Sequence, residues 1–199
     1  MAELKEKAEG ASGKTTASKS TETAKEVSGI IKRFYARARE ASANGEPVAW
    51  CMAIIPQEIM LAMDIVPVYT ENYATVCAAK QSSMSFLERA EGDGFSYFIC
   101  SYARNGLGYA HRMQETGGIP PEAPWGGLPK PALFIGRGNC EPGYKWYQAT
   151  ARFFDAPIHI FDWKRPPVDA DWDDPALKKR YVQYEVGQLQ EFIAFLQKY

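Results

Sequence analysis

An α/β fold with a mostly parallel sheet flanked by helices is what this sequence predicts, and three observations carry the prediction. Short apolar runs recur at 48–55, 66–69, 95–99, 132–135 and 157–161. The first is apolar on successive residues, as a strand covered on both faces must be. Between the runs lie longer segments with helical spacing, an alternation that builds parallel sheets. The handovers hold Pro, Gly, Thr and Asn, residues that end strands and start helices.

Composition narrows the partners. The chain has 199 residues, 46% hydrophobic and 24% charged, enough for one domain with its own core. Lys and Arg number 23 against 24 Asp and Glu. No global field therefore draws nucleic acid or an anionic membrane, and neither is an expected partner. The longest clean apolar runs, 50–55 and 59–63, fall far short of the roughly 20 residues of a membrane helix. Residues 1–25 lack the apolar stretch of a secretory signal. Four cysteines without a paired motif suit a reducing compartment in which thiols stay free or bind metal. A cytoplasmic location is the expectation.

Taken in order, residues 1–25 are rich in Ala, Lys, Glu, Ser and Thr and hold no aromatic residue, which predicts a flexible tail. An N-terminal helix follows, assigned to 26–45, with helical spacing visible from Thr23 at Val27, Ile30, Ile31, Phe34 and Tyr35 and a stop at Asn44-Gly45. Residues 46–199 form the α/β domain. The run 48–55 predicts its first strand, and Pro56 opens a helix with Glu58 in the first turn, where an anion is favoured. The run 66–69 is the second strand, with Thr70, Glu71 and Asn72 at its handover and one helix over 73–90 closed by Gly92-Asp93-Gly94. The run 95–99 reads as a strand leading into Cys100 and a helix over 101–115. Residues 117–131 are a long turn-rich connection of the kind that is usually functional or mobile. A strand at 132–135, a helix over 142–154, a strand at 157–161 and a final helix from Asp174-Pro175 complete the domain.

Two cysteines are candidate cluster ligands, with a small buried packing residue as the alternative reading of each. Cys100 and Cys140 each end a strand-like stretch and precede a helix, where the positive end of the helix favours thiolate, the form that binds metal. Cys51 within a strand and Cys77 within a helix read as buried packing residues. His159 alternates with Ile158 and Ile160 and reads as a satisfied sheet histidine, and His111 as a surface helix residue. Two histidines leave little for a histidine triad or a mixed zinc site. Glu71, at the carboxyl end of a strand where α/β sheets bind ligands, is the candidate acid or base. Arg104 and Lys145, one turn beyond the two cysteines, are candidates to offset thiolate or phosphate charge, with solvated helix charges as the equal alternative. Gly136-Arg137-Gly138 is no dinucleotide fingerprint.

Gly94-Phe95-Ser96, Cys100-Ser101-Tyr102-Ala103-Arg104, Leu128-Pro129-Lys130-Pro131, and Asn139-Cys140 followed by Lys145-Trp146-Tyr147 together resemble the benzoyl-CoA reductase and 2-hydroxyacyl-CoA dehydratase family. Pro56-Gln57-Glu58-Ile59 and Pro67-Val68 fit its opening helix and strand. The resemblance covers about residues 45–199. It implies the flavodoxin- or Rossmann-like half of a two-domain iron–sulfur subunit that pairs with a related subunit as a heterodimer. It further implies a [4Fe–4S] cluster on three cysteines, an ATP-hydrolysing activator that injects a low-potential electron, and an acyl-CoA substrate reduced through a radical. By position, Cys100 and Cys140 are two of the ligands. The third is expected from a second α/β domain. The Cys-Ser-Tyr-Ala-Arg run and Thr70-Glu71-Asn72-Tyr73 look closer to the ring-reducing branch than to the simplest dehydratases. A non-catalytic α/β binding or assembly module with structural cysteines is the competing reading.

Overall fold

The computed structural model describes residues 21–199, apart from Asn139, Arg165 and the side chain of Glu141. Of the flexible tail expected over residues 1–25, residues 1–20 lie outside the described residues, and the last four are helical instead. The described residues fall into two compact units, one ending at Arg33 and the other running from Phe34 to Tyr199. Helix α1 spans Glu22–Ala43, so its start precedes the expected boundary at 26. It ends at Gly45, whose φ of 80° only glycine adopts freely.

The second unit is built on a four-stranded, wholly parallel sheet in the order β2-β1-β3-β4, with β1 Val48–Cys51, β2 Val66–Tyr69, β3 Leu133–Arg137 and β4 Ile158–Phe161. Its helices are α2 Gln57–Leu61, α3 Thr70–Ala79, α4 Ser83–Gly92, α5 Ser101–Thr116, α6 Glu141–Phe154 and α7 Pro175–Leu196. Strand register sets the layers, because side chains alternate between faces. Ala49, Cys51, Leu133, Ile135 and Phe161 share one face with Met60 of α2 and Phe192 and Leu196 of α7. Trp50 and Phe134 point the other way, and their rings meet Tyr109 of α5 and Tyr147 and Phe154 of α6. Both faces are thus covered, which explains the continuous apolar runs.

Three expectations need correction. The first strand stops at Cys51 rather than Ile55. Beyond it the chain turns at Ile54, a β-branched residue at φ 58° that is 70% exposed, while the Ala53 N–H is captured by the Glu71 carboxylate at 2.6 Å. The helix expected over 73–90 is two helices. It breaks at Gln81, at φ 56°, where the Ser82 amide and hydroxyl both donate to the Cys77 carbonyl. The run 95–99 is a turn closed by the Ile99 N–H on the Ser96 carbonyl, with Phe98 81% exposed and Tyr97 62%. The connection over 117–131 is tied down by buried aromatic residues. Trp50 Nε1 donates to the Pro129 carbonyl at 2.9 Å, Tyr73 to that of Pro124 at 2.9 Å and Tyr109 to that of Leu128 at 2.9 Å.

The remaining helix starts follow the sequence signals. Asp174 caps α7 by accepting from the Ala176 N–H at 2.8 Å, with Pro175 at the first helical position. No helix among the described residues is long and apolar enough to cross a membrane.

Candidate functional site

Sheet order reverses between β1 and β3, so the crevice beyond their carboxyl ends is the ligand-binding switch point of such a sheet. The helices that start there bring the two candidate thiols to it. Cys100 caps α5 and Cys140 caps α6. Their carbonyls accept the first helical bonds, from Arg104 N–H at 3.0 Å and Tyr144 N–H at 3.1 Å. Neither thiol is spent on a capping hydrogen bond, and both are partly exposed free cysteines.

Contacts between α5 and α6 fix how they run. Gly106 meets Trp146, six residues beyond each cysteine. The His111 ring meets Phe153 at a 43° tilt with 5.5 Å between centroids, and the Gln114 amide donates to the Phe153 carbonyl at 2.5 Å. Early residues meet early ones and late meet late, so the helices lie side by side in the same direction. Their first close contact is about 9 Å along each axis from its cap. Cys100 and Cys140 therefore stand at the same end of a parallel helix pair.

Small residues make that pairing possible. A Cβ on Gly106 would come within 2.3 Å of the Trp146 ring. On the opposite face of α5, a Cβ on Gly108 would lie 1.8 Å from the Phe86 carbonyl of α4. In the first turn of α6, a Cβ on Gly143 would meet Met52 at 2.2 Å. Met52 directly follows β1 and donates its N–H to the Ile135 carbonyl at 3.0 Å, so the Cys140 cap is seated over the crevice.

A cavity of about 370 Å³ opens between the helices on this end. Its wall holds Cys100, Ala103 and Leu107 of α5, Pro142, Lys145, Trp146 and Ala149 of α6, and Phe95, Phe98 and Ile99 of the preceding turn. That turn was the expected strand; its apolar residues serve the cavity instead of a sheet.

The other candidates are placed differently. Glu71 stands in the first turn of α3, its Oε2 holding the Ala53 amide. Arg104 is committed to Glu91 on α4, whereas Lys145 borders the cavity with its ammonium 5.8 Å from the Tyr144 ring centroid. Cys51 is fully buried against Met60, and burial pushes its thiol far above the usual range. Cys77 is buried too and its thiol is raised, chiefly by desolvation. His111 is bound to Asp93 at 2.5 Å and to Arg89, in a network rather than free at the surface. His159 is not satisfied among the described residues: its Nε2 is buried with no hydrogen-bond partner there, and the ring lies among Phe161, Phe192 and Phe195. Sequence reasoning missed the roles of Met52, Phe98 and Trp146. Glycines inside helices, each costing roughly 0.5–1 kcal/mol against alanine, were the available signal for close approach at Gly106 and Gly143.

The donor set can be weighed against a cluster. Two uncommitted thiols at one end of paired helices are suited to binding iron. Among the described residues no group of three or more His, Cys, Asp and Glu side chains is placed to hold a metal ion.

Comparison with known proteins places the chain in a family. Residues 52–199 match the family model of the 2-hydroxyglutaryl-CoA dehydratase D-component. The alpha subunit of lactoyl-CoA dehydratase from Anaerotignum propionicum is 33% identical over 152 residues, 73% of this chain and 35% of that protein. The (R)-2-hydroxyisocaproyl-CoA dehydratase alpha subunit of Clostridioides difficile is 33% identical over 137 residues, 68% of this chain and 32% of that protein. The (R)-phenyllactyl-CoA dehydratase alpha subunit of Clostridium sporogenes is 34% identical over 126 residues, 63% of this chain and 29% of that protein. The chain spans about a third of the length of the curated relatives it matches. With the model covering most of the chain and both cysteine-capped helices inside it, the chain belongs to the 2-hydroxyglutaryl-CoA dehydratase D-component family.

Proposed function

We propose that this chain works within a 2-hydroxyacyl-CoA dehydratase as part of a cluster-bearing subunit. The observation that carries the reading is the parallel register of α5 and α6, which sets Cys100 and Cys140 at one end over the sheet's switch point. In this reading both thiolates hold a [4Fe–4S] cluster, with a third ligand from outside the described residues. When bound, such a cluster supplies single electrons and an iron that can take an oxygen ligand. The chain's own part is to hold the two thiolates, to exclude water with the apolar wall of the cavity, and to fix the loop after β1 through Glu71. The acid–base role expected of Glu71 belongs to the proposal as well.

Dehydration is favoured over ring reduction. The matched model and the three relatives all carry dehydratase names, whereas the preference for the ring-reducing branch rested on short runs alone. The relatives are alpha subunits, which supports a complex with a related subunit; an ATP-hydrolysing activator and a cytoplasmic, reducing setting complete the proposal. The test is anaerobic turnover by the chain assembled with its partner subunit, with activator, ATP and a strong reductant present. Lactoyl-CoA should be dehydrated and benzoyl-CoA left unchanged. Turnover of benzoyl-CoA alone would reverse the choice of branch.

A further inference from the structure

We propose that Met52, the first residue beyond β1, is the positioning residue of the Cys140 thiolate. Its side chain fixes where the α6 cap stands and keeps water from that flank of the site. The effect on a bound cluster rests on the dehydratase reading, whereas the hold on Cys140 rests on packing alone.

The backbone of Met52 is clamped on both sides. Its N–H donates to the Ile135 carbonyl at 3.0 Å, and the next N–H, of Ala53, is held by the Glu71 carboxylate at 2.6 Å. Alternation past Trp50 and Cys51 sends the Met52 side chain to the face of Trp50, the one covered by α5 and α6.

There it meets the first turn of α6. One point, where a Cβ on Gly143 would stand, lies 2.2 Å from the Met52 methyl carbon, 2.8 Å from its sulfur and 3.7 Å from the Cys140 Cβ. A glycine at 143 is what leaves room for this contact. Met52 is fully buried, and a side chain in a close-packed interior cannot swing aside without moving its neighbours. Methionine suits the place, because it fills an irregular gap and presents an apolar, polarisable sulfur.

Cys140 needs such a hold. Its side chain makes no capping hydrogen bond, and its carbonyl accepts from Tyr144 N–H inside α6, a bond that moves with the helix. Met52 ties that cap to the sheet instead. Cys100 caps the neighbouring helix, whose tight contact with α6 comes further along, at Gly106, so it serves as the internal control. An apolar neighbour also limits solvent access, which is one of the factors that set the potential of a metal centre.

Two readouts test the proposal. In the 199-residue chain, anaerobic alkylation by iodoacetamide at fixed pH is followed at each cysteine by peptide mass spectrometry. Met52→Ala should speed the Cys140 reaction about tenfold, since emptying a buried methionine site weakens local packing by more than the roughly 1.4 kcal/mol that a factor of ten requires. Cys100 should keep its wild-type rate. Met52→Leu should hold the Cys140 rate near wild type, and adding Gly143→Ala to Met52→Ala should slow it again by refilling the gap. Circular dichroism establishes folding. Should Met52→Ala fail to fold, Gly143→Ala alone crowds the same contact from the α6 side and should speed Cys140 selectively. In the assembled enzyme, Met52→Gln, similar in length but polar, should keep its iron and sulfide and raise the midpoint potential in an EPR-monitored titration, because a polar flank favours the more negative reduced state.

Equal acceleration at both cysteines, or none at Cys140 in any folded variant, overturns the hold of Met52. Full cluster content with an unmoved potential in Met52→Gln overturns the water-excluding role and leaves the dehydratase reading standing. A wild-type assembly that binds no iron overturns that reading instead, while Cys140-selective acceleration in the same chain supports the hold of Met52.

Discussion

Gly106 of α5 lies so close to Trp146 of α6 that a methyl group on it would sit 2.3 Å from the indole ring, and each residue stands six positions beyond a helix-capping cysteine. Together with the contacts of His111 and Gln114 to Phe153, this contact sets the register of the pair. It also lets one substitution report on the whole arrangement.

Gly106→Ala should destabilise the protein by about 1–3 kcal/mol, because overpacking against a buried ring outweighs the helix-propensity gain of alanine. Gly187→Ala is the contrasting case. A Cβ there meets nothing within 4 Å, so in the interior of α7 the change should stabilise by roughly 0.5–1 kcal/mol. Urea unfolding of the two variants decides the matter, and equal effects would contradict the close approach.

The Glu71 carboxylate accepts from the Ala53 N–H at 2.6 Å and holds the turn in which Ile54 adopts its left-handed conformation. Glu71→Ala should cost roughly 1–3 kcal/mol, since the amide loses a charged acceptor. Glu71→Gln keeps an acceptor and should recover most of that loss. Thermal melts measure this part. Turnover in the assembled enzyme measures the other, because abolished activity in a fully stable Glu71→Gln protein would assign the carboxylate to proton transfer.

His159 links stability to pH. Burial among Phe161, Phe192 and Phe195 holds its imidazole below the ordinary 6.5, and Glu191 opposes this in part. The unfolded chain therefore takes up a proton at higher pH than the folded one. The stability this contributes is complete above pH 6.5 and is lost as pH falls through the lowered folded value. His159→Phe removes both the titration and the unpaired Nε2, so it should flatten this part of the acid limb of a urea-midpoint profile. An unchanged slope below 6.5 would show that other groups account for it.

Strands and helix caps were legible in the sequence for physical reasons. A parallel sheet covered on both faces must be apolar on consecutive residues, and 48–51 and 133–135 show this plainly. Caps are local, so the places of Cys100 and Cys140 at helix entrances and of Asp174 and Pro175 at the start of α7 could be read from the residues alone. The 95–99 turn could not, because an apolar run looks the same whether it joins a sheet or walls a cavity. The break at Gln81 was hidden too, since no glycine marks its positive φ. Most of all, the register of α5 against α6 is a long-range property. It rests on Gly106 meeting Trp146, which residue patterning shows only as a glycine in a helix.

The central claim is that Cys100 and Cys140 act together at one end of the helix pair, and iron and sulfide content tests it most directly. The proteins to compare, prepared anaerobically in the assembled enzyme, are Cys100→Ser, Cys140→Ser, the double variant and Cys77→Ala. If both thiolates hold one cluster, each single variant should lose as much iron as the double one, while Cys77→Ala keeps its cluster and loses only about 1 kcal/mol of stability. Undiminished iron in both single variants, or its loss in Cys77→Ala with the fold intact, would contradict the account.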